Sequence, residues 1–381
     1  MKGGRGMPDS NEQIPVLLFG GTGYVAGEAL RLVVHHPRLS LHAAYSTSQA
    51  GKPLTEVFAH LRGTSLESLR FAPVKEARGA RELRDKGTPV AALYATPHGA
   101  TAELVERLLN AAAELDAAEQ LYVVDLSADF RFASAKRYEA VYGEPHPAPK
   151  RLADFLRGVP ELMPCEIDSK MRCASQPGCF VTATVLAAAP LLRAGLVEPA
   201  DVFVSAVTGS SGSGRTPRES THHPERASNL FAYEPLAHRH EAEMRTLLAA
   251  HAGLEEEPGV AFVPHSGPFV RGIHATLHMR LREEYDGASA DQLLAHFEKI
   301  YEPETTGRFV RISREMPRLN EVVGTNRCHM GVSVRGRTVV VTSVLDNLVK
   351  GAAGGGIQWL NRLLGFEPHA GLRDLSGLGW F

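Results

Sequence analysis

The chain has 381 residues, is 44% hydrophobic and 22% charged, and carries a formal net charge of −2. That length exceeds one ordinary hydrophobic core and predicts two domains. The balanced charge leaves no polybasic stripe for nucleic acid, and every apolar run is broken by charge, Gly or Pro well short of about 18 residues, which excludes a spanning helix. The polar segment from Met1 to Glu12 lacks the apolar stretch of an export signal. Cys165, Cys173, Cys179 and Cys328 show neither a C-x-x-C spacing nor a secreted-domain framework, so a reduced, cytoplasmic setting is expected. The 17 histidines include His35-His36, His222-His223 and His238-Arg239-His240, but no H-E-x-x-H pattern, and no metal site is expected.

A strand over 14–19 runs into Gly20-Gly21-Thr22-Gly23-Tyr24-Val25-Ala26-Gly27, then an amphipathic helix over about 28–35, the Pro37 break and a second strand over about 39–45. Such a turn brings backbone N–H groups and a helix start against a pyrophosphate, which makes Gly20, Gly21, Thr22, Gly23, Tyr24 and Val25 cofactor-binding candidates. A tight turn with no ligand is the competing reading, because Ala26 takes the third small position and the G-x-G-x-x-G spacing is not met. The second strand leads into Ser46-Thr47-Ser48-Gln49-Ala50-Gly51-Lys52, without the acidic residue that would bind a ribose 2′-hydroxyl. Hydroxyls and a lysine suit a 2′-phosphate, so Ser46 and Ser48 join the candidates and NADP (NADPH) is preferred over NAD.

Further strand-loop-helix units follow at 90–94, ending in Ala95-Thr96-Pro97-His98-Gly99, and at 121–125, ending in Leu126-Ser127-Ala128-Asp129-Phe130-Arg131. Pro97 and Ser127 thereby fall at the carboxyl ends of strands, where a doubly wound parallel sheet holds its ligand. β-rich stretches at about 201–208, 259–263, 274–281 and 338–344 predict a mixed second sheet, and Asp346-Asn347 opens a small-residue helix toward Leu364. The expected fold is α/β: a Rossmann-type doubly wound parallel sheet over 13–178, completed by a C-terminal helix within 347–381, plus a mixed α+β, sheet-dominated catalytic and dimerisation domain over 179–346.

Cys179 stands where the Pro177-Gly178 turn enters an apolar helical run. Unpaired N–H groups and the positive end of the helix dipole favour thiolate there, the nucleophilic form. Packing of a helix start is the alternative role for a free cysteine.

Taken in order, Gly20-Gly21-Thr22-Gly23-Tyr24, Pro97-His98-Gly99, 125–131, Val159-Pro160-Glu161-Leu162, Pro177-Gly178-Cys179, 209–215, His238-Arg239-His240, Arg271-Gly272-Ile273, Gly324-Thr325-Asn326 and 346–351 resemble the N-acetyl-gamma-glutamyl-phosphate reductase family, within the wider group that includes aspartate-semialdehyde dehydrogenases. The resemblance runs over about 15–364. It implies that Cys179 attacks an acyl phosphate, phosphate leaves, the thioester takes a hydride from NADPH, and an aldehyde is released. His240 is the expected acid/base and His238 a substrate-orienting group, though the sequence leaves open which of the two faces the sulfur. Arg131 and Arg215 are substrate-binding candidates for a phosphate and a carboxylate, or else solvated surface arginines. The resemblance puts Asn347 near the nicotinamide, with a helix cap as its competing role.

The stretch Thr221-His222-His223-Pro224-Glu225-Arg226-Ala227 is more similar to a sister group that reduces carrier-protein-bound aminoadipyl or glutamyl phosphate, whereas Pro177 and Arg215 fit the arginine-pathway form. No concentrated basic patch for an acidic carrier is visible in the sequence, so free N-acetylglutamyl phosphate is preferred. A non-catalytic NADP-binding regulator with Cys179 as redox sensor is the reading from another class, against which the presence of both the thiol and the His-x-His pair argues, and an aspartate-semialdehyde dehydrogenase accounts less well for His238-Arg239-His240. A homodimer or homotetramer is expected.

Overall fold

The computed structural model describes residues 13–76, 88–302 and 306–372, so 373–381 of the expected C-terminal segment lie outside the described residues. The first part contains β1 (Ile14–Phe19), α1 (Tyr24–Val34), β2 (Leu39–Ser46), α2 (Leu54–Val57), β3 (Ala72–Pro73), β4 (Val90–Tyr94), α3 (Thr101–Glu114), β5 (Leu121–Asp125), α4 (Ala135–Tyr142), β6 (Phe155–Arg157) and β7 (Cys173–Ser175). Its strands form one sheet in the order β3-β2-β1-β4-β5-β7-β6, every pair parallel. The order reverses between β1 and β4, and the crevice outside their carboxyl ends is where such a sheet takes a ligand.

Both faces of this sheet are covered, which explains the unbroken apolar strands. Val16 and Leu18 pack into one cluster with α1, while Leu17 and Phe19 point the other way toward Val105 and Leu108 of α3. The helix after the Gly-rich turn starts at Tyr24, four residues before the expected position 28. Gly23 is extended, with φ −80° and ψ 168°, and ends the turn there. Gly27 is then an interior helical residue, required because the Phe58 ring lies 2.8 Å from where a Cβ would stand.

The second part begins with α5 (Cys179–Arg193) and continues through β8 (Val202–Thr208), α6 (His223–Arg226), β9 (Phe231–Ala232), α7 (Arg239–Ala252), β10 (Val260–Ser266), β11 (Ile273–Arg280), α8 (Ala290–Ile300), β12 (Val310–Ser313), β13 (Cys328–Arg335), β14 (Thr338–Leu345) and α9 (Gly354–Leu364). These strands form a mixed sheet in the order β12-β13-β14-β11-β8-β10-β9. Along β8, Val202, Val204 and Ala206 are buried while Phe203 and Ser205 are exposed, the alternation of a sheet with one open face. α5 is buried on all sides from Phe180 to Leu192, as a helix without a polar face must be.

After β14 the chain returns to the first sheet. A π-helical turn over Val349–Ala353 leads into α9, and Ile357, Trp359 and Leu360 complete the cluster around Val16 and Leu18. At this return the Lys350 ammonium is fully buried against the Glu161 carboxylate and 2.8 Å from Gln358 Oε1, while Gln358 Nε2 donates to Glu161 at 2.8 Å. Lys350→Met should therefore lower unfolding stability by roughly 3–5 kcal/mol in urea titrations, because it strands a buried carboxylate. Adding Glu161→Leu should restore part of that loss; equal stability of the single and double variants would contradict the account.

Candidate active site

Cys179 is the first residue of α5, after an extended Gly178, and the N–H groups of Phe180 and of Cys179 itself point at its sulfur. Burial nevertheless pushes its thiol up to about 11, against the pull of Arg131 and those N–H groups. The expectation of a resting thiolate is thus corrected: the helix start lowers a value that desolvation has raised further, and the free protein carries the thiol at neutral pH.

Arg131 reaches the site by an unusual route. Asp125 at the end of β5 accepts N–H bonds from Ser127 at 2.7 Å and Phe130 at 3.2 Å, while Asp129 accepts from Gly99, Thr101 and Ala102 at 2.8–3.0 Å and caps the start of α3. His98 Nδ1 stands 3.0 Å from the same carboxylate. Burial opposes ionisation of Asp129, but His98 and the N–H donors outweigh it and hold its carboxyl below the usual range. The loop so pinned delivers Arg131 inward, where its Nη1 lies 3.2 Å from Glu243 Oε2 and 3.4 Å from His240 Nε2. Arg131 Nε is buried with no hydrogen-bond partner, a spare donor suited to an anion.

His240 packs on Gly178: its Nε2 lies 2.4 Å from where a Cβ on that glycine would stand. Since Arg131 can only donate, the Nε2 lone pair is assigned to this contact and the proton to Nδ1. Burial, His238 and the arginines Arg131 and Arg239 hold His240 well below the ordinary imidazole value, so it is neutral at rest, where the sequence suggested exchange near neutral pH. His238 is different. Its Nδ1 accepts the His240 N–H at 3.1 Å as the N-cap of α7, burial lowers it to about 4, and it is not part of the lining around the sulfur. The structure gives it a capping position rather than the expected substrate-facing one.

A cavity of about 310 Å³ joins these groups: Cys179, Gly178, His240, Arg239, Arg131, Ser127, Asn347, Gly351 and the turn residues Gly23, Tyr24 and Val25 all line it. Asn347 Oδ1 accepts from Gly272 N–H at 2.6 Å and its Nδ2 donates to Ser211 at 3.0 Å, whereas Asp346 caps the following turn through Leu348 and Val349. The competing cap role thus falls to Asp346.

The adjoining cleft, about 740 Å³, is lined by Gly20, Thr22, Gly23, Thr96 and Pro97 from the first sheet and by residues 212–217 from the loop after β8. It fits a dinucleotide: a Cβ on Gly23 would meet nothing within 4 Å, and no side chain caps the start of α1, which leaves its N–H groups to a phosphate. Gly21 instead packs against Phe71 and does not line the cleft. Ser46 is buried and accepts the Gln49 N–H, and Ser48 is exposed; neither lines the cleft, although Gln49 beside them does. Arg215 lines this cleft and not the cavity around the sulfur, so the structure separates it from Arg131.

Glu243 is the residue that the sequence reading missed. Buried beside the thiol, it accepts the Gly178 N–H at 3.0 Å and pairs with Arg131. Its spacing of three from His240 on one helix was the available signal. Among the described residues no group of three or more His, Cys, Asp or Glu is arranged to hold a metal, and no helix is long and apolar enough to cross a membrane.

A half-buried cysteine opening a central helix, an imidazole on the preceding glycine and a dinucleotide cleft at the sheet's switch point are the features of a dehydrogenase-type site. The family model for the semialdehyde dehydrogenase NAD binding domain matches residues 15–170, and that for the semialdehyde dehydrogenase dimerisation domain matches 179–347. The chain belongs to the semialdehyde dehydrogenase family. It is 37% identical to LysW-L-2-aminoadipate 6-phosphate reductase of Deinococcus radiodurans, over 96% of this chain and 99% of that one. It is 36% identical to N-acetyl-gamma-glutamyl-phosphate reductase of Bacillus cereus and 38% identical to N-acetyl-gamma-glutamyl-phosphate reductase 1 of Pseudomonas putida, each over 94% of this chain and 98% of the relative. The fold is shared with the aspartate semialdehyde dehydrogenase II of Vibrio cholerae, with a TM-score of 0.64 at 17% identity over 92% of this chain and 98% of that one.

Alkylation of Cys179 in the free protein, followed by mass spectrometry of its peptide, should show a pH inflection near 11. Glu243→Gln removes an anion that opposes the thiolate and should move the inflection down; Arg131→Met removes a cation that favours it and should move it up. A wild-type inflection below the ordinary thiol value of about 8.5 would show that the helix start outweighs burial.

Proposed function

We propose that the chain reduces N-acetyl-L-glutamyl 5-phosphate to N-acetyl-L-glutamate 5-semialdehyde and phosphate through a thioester on Cys179. The supporting observation is the single cavity in which a helix-start thiol, a buried guanidinium with a spare donor and a neutral imidazole meet beside the dinucleotide cleft. Arg131 holds the phosphate of the substrate and offsets its charge as it leaves. As Arg131 turns to the phosphate it frees His240 Nε2, which takes the Cys179 proton as the sulfur bonds to the acyl carbon, so a resting thiol is no obstacle. NADPH, when bound, supplies the hydride that converts the thioester carbonyl to a thiohemiacetal. His240 returns its proton to the oxygen formed in that step, then withdraws it again as the C–S bond breaks and the aldehyde departs. Gly20, Thr22, Gly23 and Pro97 would hold the dinucleotide, with Tyr24, Val25, Ser127 and Asn347 near its reacting end. The hydroxyls and Lys52 after β2, with no acidic residue there, favour NADP over NAD.

On this reading 13–178 with the C-terminal return is the nucleotide domain and 179–346 the catalytic one. The open face of the second sheet, with Phe203 exposed, would pair copies of the chain into a dimer or tetramer in the cytoplasm, a setting that suits four unpaired cysteines.

A second reading, reduction of a carrier-bound acyl phosphate, is favoured by one feature that the sequence did not reveal. Arg218, His222, His223 and Arg271 line a cavity of about 780 Å³ next to the dinucleotide cleft, together with Arg215. Arg215 and Arg218, close together in sequence, give this recess a positive rim for an acidic partner, while Arg271 there is already paired with Glu28 and Asp346.

Purified protein should reduce NADP in a phosphate-dependent reaction with N-acetylglutamate 5-semialdehyde, with little turnover of NAD. Cys179→Ala should abolish the reaction, and His240→Asn should lower kcat by about 10²–10⁴-fold, the usual scale of a proton-transfer group. A silent wild type that still binds NADPH, and that acts on the carrier-linked aldehyde, would replace the first reading with the second.

A further inference from the structure

Arg215 has no assigned partner in the chemistry around the sulfur, yet its position is specific. It leaves the loop after β8 just beyond Gly214, whose φ of +82° turns the chain outward. From there it crosses to the first sheet's side, where its Nη1 lies 3.4 Å from the carbonyl oxygen of Thr22 in the Gly-rich turn and 3.2 Å from that of Val57. Its guanidinium carbon sits 5.9 Å from the centre of the Phe58 ring.

The charge around it is unbalanced. Arg131 is paired with Glu243, and Arg271 with Glu28 and Asp346. Among the described residues no carboxylate lies within ion-pair distance of Arg215, and Glu56, which lines the same cleft, is not paired with it. Its hydrogen bonds go to two neutral carbonyls, and a pyrophosphate would offer the guanidinium hydrogen bonds together with opposite charge. The anion-binding elements of the cleft lie directly opposite: Thr22 itself, the open Gly23 and the uncapped start of α1.

We propose that Arg215 is a cofactor-binding residue: on dinucleotide binding its guanidinium moves from the Thr22 and Val57 carbonyls to the pyrophosphate, which then links the loop after β8 to the Gly-rich turn. This departs from the substrate role that the sequence suggested for it, and it rests on the reading that the 740 Å³ cleft holds the dinucleotide. Because Gly212, a residue of the same loop, also lines the cavity around Cys179, the same movement would order the wall of the reacting site.

Direct titration of the full chain with NADPH and with NADH, read by nicotinamide fluorescence, tests this without any substrate. Arg215→Ala should raise the dissociation constants of both cofactors by about tenfold or more, equally, and should flatten their salt dependence. Arg215→Lys should recover part of the affinity. Thermal unfolding of both variants should match the wild type, since the side chain is exposed. Unchanged NADPH binding in Arg215→Ala would overturn the proposal. So would a loss confined to NADPH, which would place the contact at the 2′-phosphate, or a loss seen only as a raised KM for phosphate in the reverse reaction. Wild-type protein that binds neither dinucleotide would defeat the underlying reading of the cleft instead.

Discussion

The site depends on backbone approaching closer than any side chain would permit at the start of α5. Gly178 lies under the His240 ring, and a Cβ on Gly351 would stand 2.6 Å from the Cys179 Cβ. Gly355 has the Gln176 amide at 2.5 Å from its own missing Cβ. Gly178 thus lets α7 press on the start of α5, Gly351 lets the π-helical turn press on Cys179 itself, and Gly355 lets α9 press on Gln176 just before it. The approach at Gly351 is the strictest, because it meets the Cβ and Cα of Cys179, whereas a Cβ at Gly178 or Gly355 would displace the end of the His240 or Gln176 side chain.

That pressure has an electrostatic consequence. Close packing removes water from Cys179 and His240 together, and both are driven toward their neutral forms. A neutral thiol and a neutral imidazole thus line the same cavity at rest, with Arg131 against the imidazole Nε2. Glu243 and Arg131 form the fixed charged background. The carboxylate ties the glycine N–H to the guanidinium, and the guanidinium is left with a donor unspent. The same dryness makes the Lys350–Glu161 pair behind the site a structural commitment, since neither charge has water to fall back on.

The Gly-rich turn, the parallel strands and the thiol at a helix start were legible because each is local: a turn signal, an apolar period or a Pro-Gly entry lies within ten residues of chain. The strands at 14–19, 90–94 and 121–125 fall where the pattern placed them. The start of α1 did not, because Gly27 reads as a breaker until Phe58 is seen filling the space where its side chain would be. Glu243 was passed over for a similar reason. A glutamate on an amphipathic helix looks solvated, and nothing in its neighbourhood announces that Gly178 and Arg131 will enclose it.

Composition, strand-helix alternation and the order of motifs were enough to mark an α/β enzyme of this family and to single out the cysteine at the start of α5, since those properties follow from short-range pattern and residue chemistry. Protonation, facing and pairing were decided only when the chain closed on itself. Which histidine adjoins the cysteine, whether the thiol is ionised, and where Arg131 and Arg215 come to rest depend on distances between segments up to about two hundred residues apart, and on the water that their packing excludes. Desolvation and direct contact are properties of the packed interior, so no stretch of sequence carries them alone.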